Sequence, residues 1–284
     1  MENLSKSKQV LGTIVEIKLP LHAEDLFNPC FKELERIEKT YSRFLEESEL
    51  SKLNNSLGKE VSVSDEMFFL LEKAVGFNTS TKGNFDVTLK EDLDALGYDK
   101  NYSFKEKAKK QNTEKGILLK NGKVFLNQEI DFGGFGKGFA LDKISELLDE
   151  QGVTHYYINA GGDIYAKSDL EDWLVLLEHP DNEQKSIGVI SLNGKAIAAS
   201  APNKRKWGRH HHLLNARTRL PANEMKAVFV LAETGLQADA FATALFTAGF
   251  QEATDLTEKL PLEALLVSNQ DKMFKTPGFK VKFF

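Results

Sequence analysis

The sequence predicts an α+β fold of mixed, largely antiparallel sheets with packed helices, and three observations carry that expectation. Asn-Gly stands at 121–122 between ILLK and KVFLN, and again at 193–194 between SIGVISL and KAIAAS. This dipeptide between apolar runs is a strong hairpin signal. Helical stretches fall among the strands at irregular intervals. The regular strand–helix alternation of a doubly wound parallel sheet is missing. The 284 residues show no internal repeat, low-complexity tract or flexible linker, so a single domain over 1–284 is expected.

Taken in order, residues 9–19 alternate at Val15, Ile17 and Leu19, the pattern of a half-buried strand entered through Gly12-Thr13. Asn28-Pro29 starts a helix whose apolar face is Phe31, Leu34, Ile37 and Tyr41. A polar, serine-rich segment follows, and Ser64-Asp65-Glu66 opens a second helix with Phe68, Leu71 and Val75 on one side. A loop over 80–84 leads into FDVT at 85–88. Leu141, Ile144 and Leu148 mark a third helix, followed by a short strand over 156–159. Strands are expected at 173–178 and 227–232, and an alanine-rich helix over 236–248 ends at Gly249. Residues 265–284 read as a last pair of strands.

Composition narrows the function classes. Hydrophobic residues at 41% and charged residues at 28% are the balance of a globular chain. A net charge of −5 without any basic run argues against a nucleic-acid surface. Cys30 is the single cysteine, which excludes an internal disulfide and a cysteine-rich metal site. No run of about twenty apolar residues could span a membrane. The opening MENLSKSKQVLG carries no apolar export core and no lipid-attachment cysteine, which leaves the compartment open.

Three constellations could carry chemistry. The first is the stretch from Asp131 to Asp163, with glycines at 133, 134, 136 and 138, Lys137 among them, and a second pair at Gly161-Gly162. Glycines let a ligand approach the backbone, and N–H groups at a helix start favour an anion. With a lysine this suggests a phosphorylated ligand; the plainer alternative is a set of tight turns. It is not a Walker loop, because Gly138 follows the lysine where Ser or Thr should stand. The second is Asp239 and Thr243, four residues apart and so one turn apart on one helix face. Hard oxygen ligands of this kind suit Mg²⁺. The competing reading packs Thr243 in a small-residue helix interface and leaves Asp239 in solvent. The third is His210-His211-His212. A zinc site lacks further ligands at suitable spacing, a single base or phosphate donor is more economical, and a polar strand end remains open. Lys204, Arg205, Lys206 and Arg209 add positive charge nearby.

In chain order, LGT, YSRFLEESELSKLN, GNFDVT, DFGGFGKGFALD, INAGGDI, HHLLNARTRLP and ADAFATALF resemble the ApbE family, the FAD:protein FMN transferases. The resemblance runs from about Leu11 to Gly249. It implies an α+β fold with an FAD cleft between sub-lobes. It also implies Mg²⁺-assisted transfer of FMN from FAD to a Ser or Thr hydroxyl of an acceptor flavoprotein, in an S-G-A-T-like motif, with release of AMP. Residue by residue, it assigns the metal to Asp239, Thr243 and the backbone carbonyl of Gly136. It assigns the FAD site to Leu11, Phe44, Asn84, Phe85, Asp86, Gly133, Phe139 and the Leu213–Leu214 pair. Lys137 falls near the pyrophosphate, and His212 is the candidate to take the hydroxyl proton. No S-G-A-T-like segment occurs in this chain, so the acceptor is expected to be another protein. Many relatives are exported lipoproteins.

The chain departs from the family in one loop. The pattern D-P-x-T-G reads Asn215-Ala216-Arg217-Thr218-Arg219. Arginine at the glycine position predicts a remodelled turn with negative φ, its guanidinium facing the cleft or solvent, and His212 still facing the cleft. Two further readings therefore stand beside the transferase: an FAD pyrophosphatase giving FMN and AMP, and a catalytically impaired FAD-binding protein.

Overall fold

The computed structural model describes residues 2–100, 102–107, 116–208 and 210–284; Arg209 of the basic cluster lies outside them. Its centre is an antiparallel sheet of eight strands. In spatial order they are Asn3–Val10, Thr13–Pro20, Tyr156–Ala160, Asp163–Lys167, Lys195–Ser200, Met225–Ala232, Glu263–Ser268 and Met273–Lys275. The inner strands are apolar on both faces, and the period of two sorts the side chains into two cores. Ala196, Ala198, Val228, Val230, Ala264 and Leu266 face the helices. Ile197, Ala227, Phe229, Leu265 and Val267 face a three-stranded sheet ordered Val281–Phe283, Asn182–Leu192, Trp173–His179. A separate small sheet pairs Glu60–Ser62 with the hairpin Ile117–Lys120 and Lys123–Leu126. The expected α+β class holds, and the Asn121-Gly122 turn has positive φ at both residues, 51° and 73°, as a tight hairpin needs.

Four expectations on elements are corrected. The strand entered through Gly12-Thr13 is Thr13–Pro20, with Val15, Ile17 and Leu19 buried as expected, but it starts later than residue 9. Gln9 and Val10 end a first arm, Asn3–Val10, paired with it across Leu11 and Gly12 at φ 57° and 68°. The first arm is a sheet edge and mostly polar, so it carried no apolar alternation. Asn193-Gly194 does not join a hairpin. Strand Lys195–Ser200 pairs with Asp163–Lys167 and Met225–Ala232, so the turn hands the chain from one sheet to the other. Only Gly194 has positive φ there, and the Asn193 side chain is used to tie down Ser168, accepting from its N–H at 2.9 Å and donating to its carbonyl at 3.0 Å. The helix Asp65–Ser80, capped by Ser64 as expected, buries Met67, Leu70, Leu71, Ala74 and Phe77, while Val75 is exposed. The tail holds three strands, and the last of them joins the smaller sheet.

Two helices position the site, and they cross at a pair of glycines. Helix Gly136–Glu150 begins at the glycine cluster and buries Leu141, Ile144 and Leu148; helix Gly235–Ala248 runs against it. A Cβ on Gly138 would overlap the carbonyl of Gly235, and one on Gly235 would overlap the carbonyl of Gly138. Asp142 locks the crossing by accepting the N–H groups of Gly235 at 2.5 Å and Leu236 at 2.9 Å, two donors that a helix start leaves without partners. Gly138→Ala forces these backbones apart. The expected cost is about 1–3 kcal/mol, seen as a melting temperature lower by roughly 2–10 °C. An unchanged melting temperature would show that the crossing has room to spare.

Candidate active site

A cleft of about 1290 Å³ opens between the first hairpin, the glycine cluster, the crossing helices and the smaller sheet. Small-molecule pockets usually enclose about 300–1,000 Å³, so this one suits an extended ligand or two ligands at once. Leu11, Phe44, Asn84, Asp86, Gly133, Gly136, Lys137, His212, Leu213, Leu214, Asp239 and Thr243 all line it. Phe85 and Phe139 do not. Both rings are buried behind the wall, Phe85 edge-on to Phe77 and Phe135 and Phe139 edge-on to Tyr41, so these side chains pack in the core rather than into the cleft.

The cleft has a charged centre. Lys137, in the first turn of its helix, lies 2.7 Å from Asp163 Oδ2 and 3.2 Å from Asp239 Oδ2. A cation at a helix N-terminus is disfavoured by the helix dipole, so the two carboxylates are what hold it there. Asp239 is almost fully buried rather than in solvent, and its Oδ2 also accepts the Gly138 N–H at 3.0 Å. Burial lowers the Lys137 pKa, but the charges of Asp163 and Asp239 outweigh it and hold the ammonium above its usual value. Burial first, and the neighbouring Asp239 second, push the Asp163 carboxyl up. Two buried carboxylates thus share one ammonium and leave an excess of negative charge that a second cation would relieve. One turn on, Thr243 Oγ1 donates to the carbonyl of Gly134 at 3.2 Å, while Gly136 borders the cleft at the helix start. Asp239, the Thr243 hydroxyl and the carbonyls of this turn are hard oxygen donors that fit Mg²⁺. Among the described residues, no group of three or more His, Cys, Asp or Glu side chains could hold a metal.

The histidines go to three environments, which removes the zinc reading. His210 meets Glu106, His211 is buried on the carbonyl of Ala222, and His212 borders the cleft. Burial, then the charges of Arg205 and Lys137, hold His212 well below the usual imidazole pKa, so its ring is neutral at pH 7. The Arg205 backbone acts on the ring in the opposite sense, favouring its protonated form, and the buried Nδ1 has no partner among the described residues. We assign the proton to Nε2 on this pattern, which leaves a bare lone pair on Nδ1.

Part of the cleft is aromatic, and its Tyr98 ring lies 6.4 Å from the ring of His212. Phe44 stacks on Tyr102 at 5.3 Å and meets Tyr98 edge-on, while Tyr98 stacks on Trp207 at 5.4 Å and 11°. Arg43 lies 4.5 Å from the centre of the Phe44 ring and is buried between Asp94 at 2.7 Å and Asp131 at 3.4 Å. This part presents flat π-faces and a fixed cation. Asn84, also buried in the wall, keeps its Oδ1 without a partner among the described residues. The sequence reading took Phe44 from YSRF but passed over Arg43, and it missed Asp163 as the partner of Lys137. Tyr98 and Tyr102 sit in a stretch with no pattern to reveal them.

The profile of the ApbE family matches residues 11–266. The chain belongs to the ApbE family. It is 26% identical to the FAD:protein FMN transferase of Buchnera aphidicola subsp. Schizaphis graminum, over 96% of this chain and 88% of that one. It is also 26% identical to that of Klebsiella pneumoniae, over 96% and 92%. The fold matches the ApbE protein of Thermotoga maritima with a TM-score of 0.90 at 23% identity, covering 98% of both chains. It matches the flavin transferase ApbE of Vibrio cholerae with a TM-score of 0.83 at 22% identity, again covering 98% of both. Among the described residues, no helix is long and apolar enough to cross a membrane.

The departure from the ApbE loop pattern is absorbed locally. Arg219 keeps φ at 57°, so the expected negative-φ turn is corrected: the left-handed geometry survives without glycine. Its guanidinium faces neither cleft nor solvent but pairs with buried Asp92 at 2.5 Å. That ion pair offsets the strain of about 1–2 kcal/mol. Asn215 uses both ends of its amide. Its Oδ1 accepts from the N–H groups of Arg217 at 3.0 Å and Thr218 at 2.9 Å, and its Nδ2 donates to the Thr247 carbonyl at 2.8 Å. An aspartate cannot donate. Asn215→Asp, which restores the family residue, is therefore expected to destabilise this chain by about 1–3 kcal/mol in urea denaturation. A neutral or stabilising effect would mean that the Thr247 contact contributes nothing.

Proposed function

We propose that the chain is an FAD:protein FMN transferase that moves FMN from FAD to a Ser or Thr hydroxyl of an acceptor protein and releases AMP. The observation that carries this reading is the union, in one cleft of an ApbE-family chain, of an aromatic part with a buried Lys137–Asp163–Asp239 centre. A dinucleotide that joins flat rings through a diphosphate has the matching chemistry. Asp239, Thr243 and the Gly136 carbonyl would hold Mg²⁺, which when bound supplies neutralisation of phosphate charge.

The chain's own residues do the rest. Phe44, Tyr98 and Tyr102 offer ring faces, and Arg43 fixes their orientation. Lys137 places a positive charge beside the diphosphate, where it gains most as charge grows on the bond that breaks. Neutral His212, which borders the cleft, takes the proton of the acceptor hydroxyl as that oxygen bonds to the FMN phosphorus. The bond from that phosphorus to the bridging oxygen breaks, and AMP leaves with that oxygen. Positioning and charge neutralisation supply most of such a transfer.

The test is incubation with FAD, Mg²⁺ and a protein carrying an S-G-A-T-like segment, read as flavin fluorescence on the denatured acceptor. Asp239→Ala is expected to lower transfer by about 100-fold or more. Free FMN with no flavin on the acceptor would point to the pyrophosphatase reading, and full transfer by Asp239→Ala in chelator would overturn the metal assignment. The pH profile gives a second check. Because His212 is held below 6.5 in the fold, the acidic limb of kcat/KM should lie below pH 6.5. Its contribution to stability is present above pH 6.5 and is lost as the pH falls. A limb above 6.5 would exclude His212 as the base in this environment.

A further inference from the structure

The transferase reading requires a protein acceptor to reach the charged centre, and the same cleft is bordered by a strand edge. Strand Trp173–His179 is the last of its three-stranded sheet: it pairs with Asn182–Leu192 on one side, and over residues 173–177 its other edge meets no backbone partner among the described residues. Residues 174–180 border the cleft without a break. Consecutive residues from both faces of a strand do this when the strand presents its edge. Leu174 and Leu176, on the outward face, are 71% and 62% exposed, and Ile14, 62% exposed, lines the same cleft. Residues 174–177 carry no charge and no proline, the usual devices that keep an open edge from pairing. The far end of this edge leads to the chemistry. Glu178 accepts from Asn203 at 3.1 Å, and two residues on is Arg205, whose charge acts on both Lys137 and His212.

We propose that the acceptor docks as an extended segment added to the open edge of Trp173–His179, with apolar side chains over Leu174 and Leu176 and its hydroxyl carried into the Lys137–His212 centre. This rests on the transferase reading. Strand addition gives affinity through the backbone and selectivity through alternate side chains, which suits an enzyme that must accept one hydroxyl in a flexible segment.

The probe is a fluorescein-labelled peptide of roughly twelve residues, with Ser-Gly-Ala-Thr at its end nearest the centre and alternating valines before it. Binding is read by anisotropy and flavin transfer by mass. N-methylation of successive peptide amides should weaken binding with a period of two, because only alternate N–H groups face the edge. Leu174→Lys and Leu176→Glu should each weaken binding by about tenfold or more without lowering the melting temperature, since both side chains are exposed. Absent binding, N-methyl sensitivity without that period, or indifference to both substitutions would overturn the docking mode. So would a stable dimer of the chain that buries this edge and excludes the peptide. A peptide bound with the period of two but never flavinylated would support the docking and count against the transferase.

Discussion

The backbone contact between Gly138 and Gly235 is the constraint on which the site depends. It brings two helices so close that neither position admits a Cβ. Lys137 precedes the first glycine by one residue, and Asp239 follows the second by one turn, so the contact itself delivers the ammonium to the carboxylate. Asp239 then accepts the Gly138 N–H, and Asp142 accepts those of Gly235 and Leu236. Each helix start is closed by a carboxylate from the other helix. The charged centre is therefore a by-product of how the two helices pack. Asp163 completes it from the neighbouring strand, where its Oδ1 accepts the Ala199 N–H at 3.1 Å.

This arrangement explains the glycine cluster in physical terms. Gly138 is present because another backbone occupies its side-chain space. Gly134 is pressed against Phe85 and Thr243. Gly161 and Gly162, at φ 67° and 106°, make the turn that leads into Asp163. The turn reading fits Gly161 and Gly162, whereas Gly138 answers to helix packing and its N–H is taken by Asp239.

Much of the fold and of the site was legible in the sequence. The helices were marked by their period and caps: Ser64 at one start and Gly249 at one end stand where expected. The cleft residues lay in short motifs whose spacing survives folding, such as Asp239 and Thr243 on one helix turn. What escaped was what depends on long-range partners. A polar edge strand, Asn3–Val10, has no alternation to read. The Asn193-Gly194 turn was misread because local sequence cannot say which sheet a strand will join. Phe85 and Phe139 sit beside cleft residues in the chain, but packing points their rings the other way. Arg219 found Asp92, 127 positions away in the chain, and that partner let the loop keep a glycine-like turn.

The central claim is that the Lys137–Asp163–Asp239 centre binds the diphosphate of FAD together with a divalent cation, and that the aromatic part receives a ring. The most direct measurement is a crystal of the protein with FAD and Mn²⁺, using anomalous diffraction to place the metal. The account predicts a manganese peak bonded to Asp239 and Thr243, with the diphosphate beside Lys137 and a ring against Phe44. A metal bound away from Asp239, or a diphosphate lying among the aromatic side chains, would contradict it.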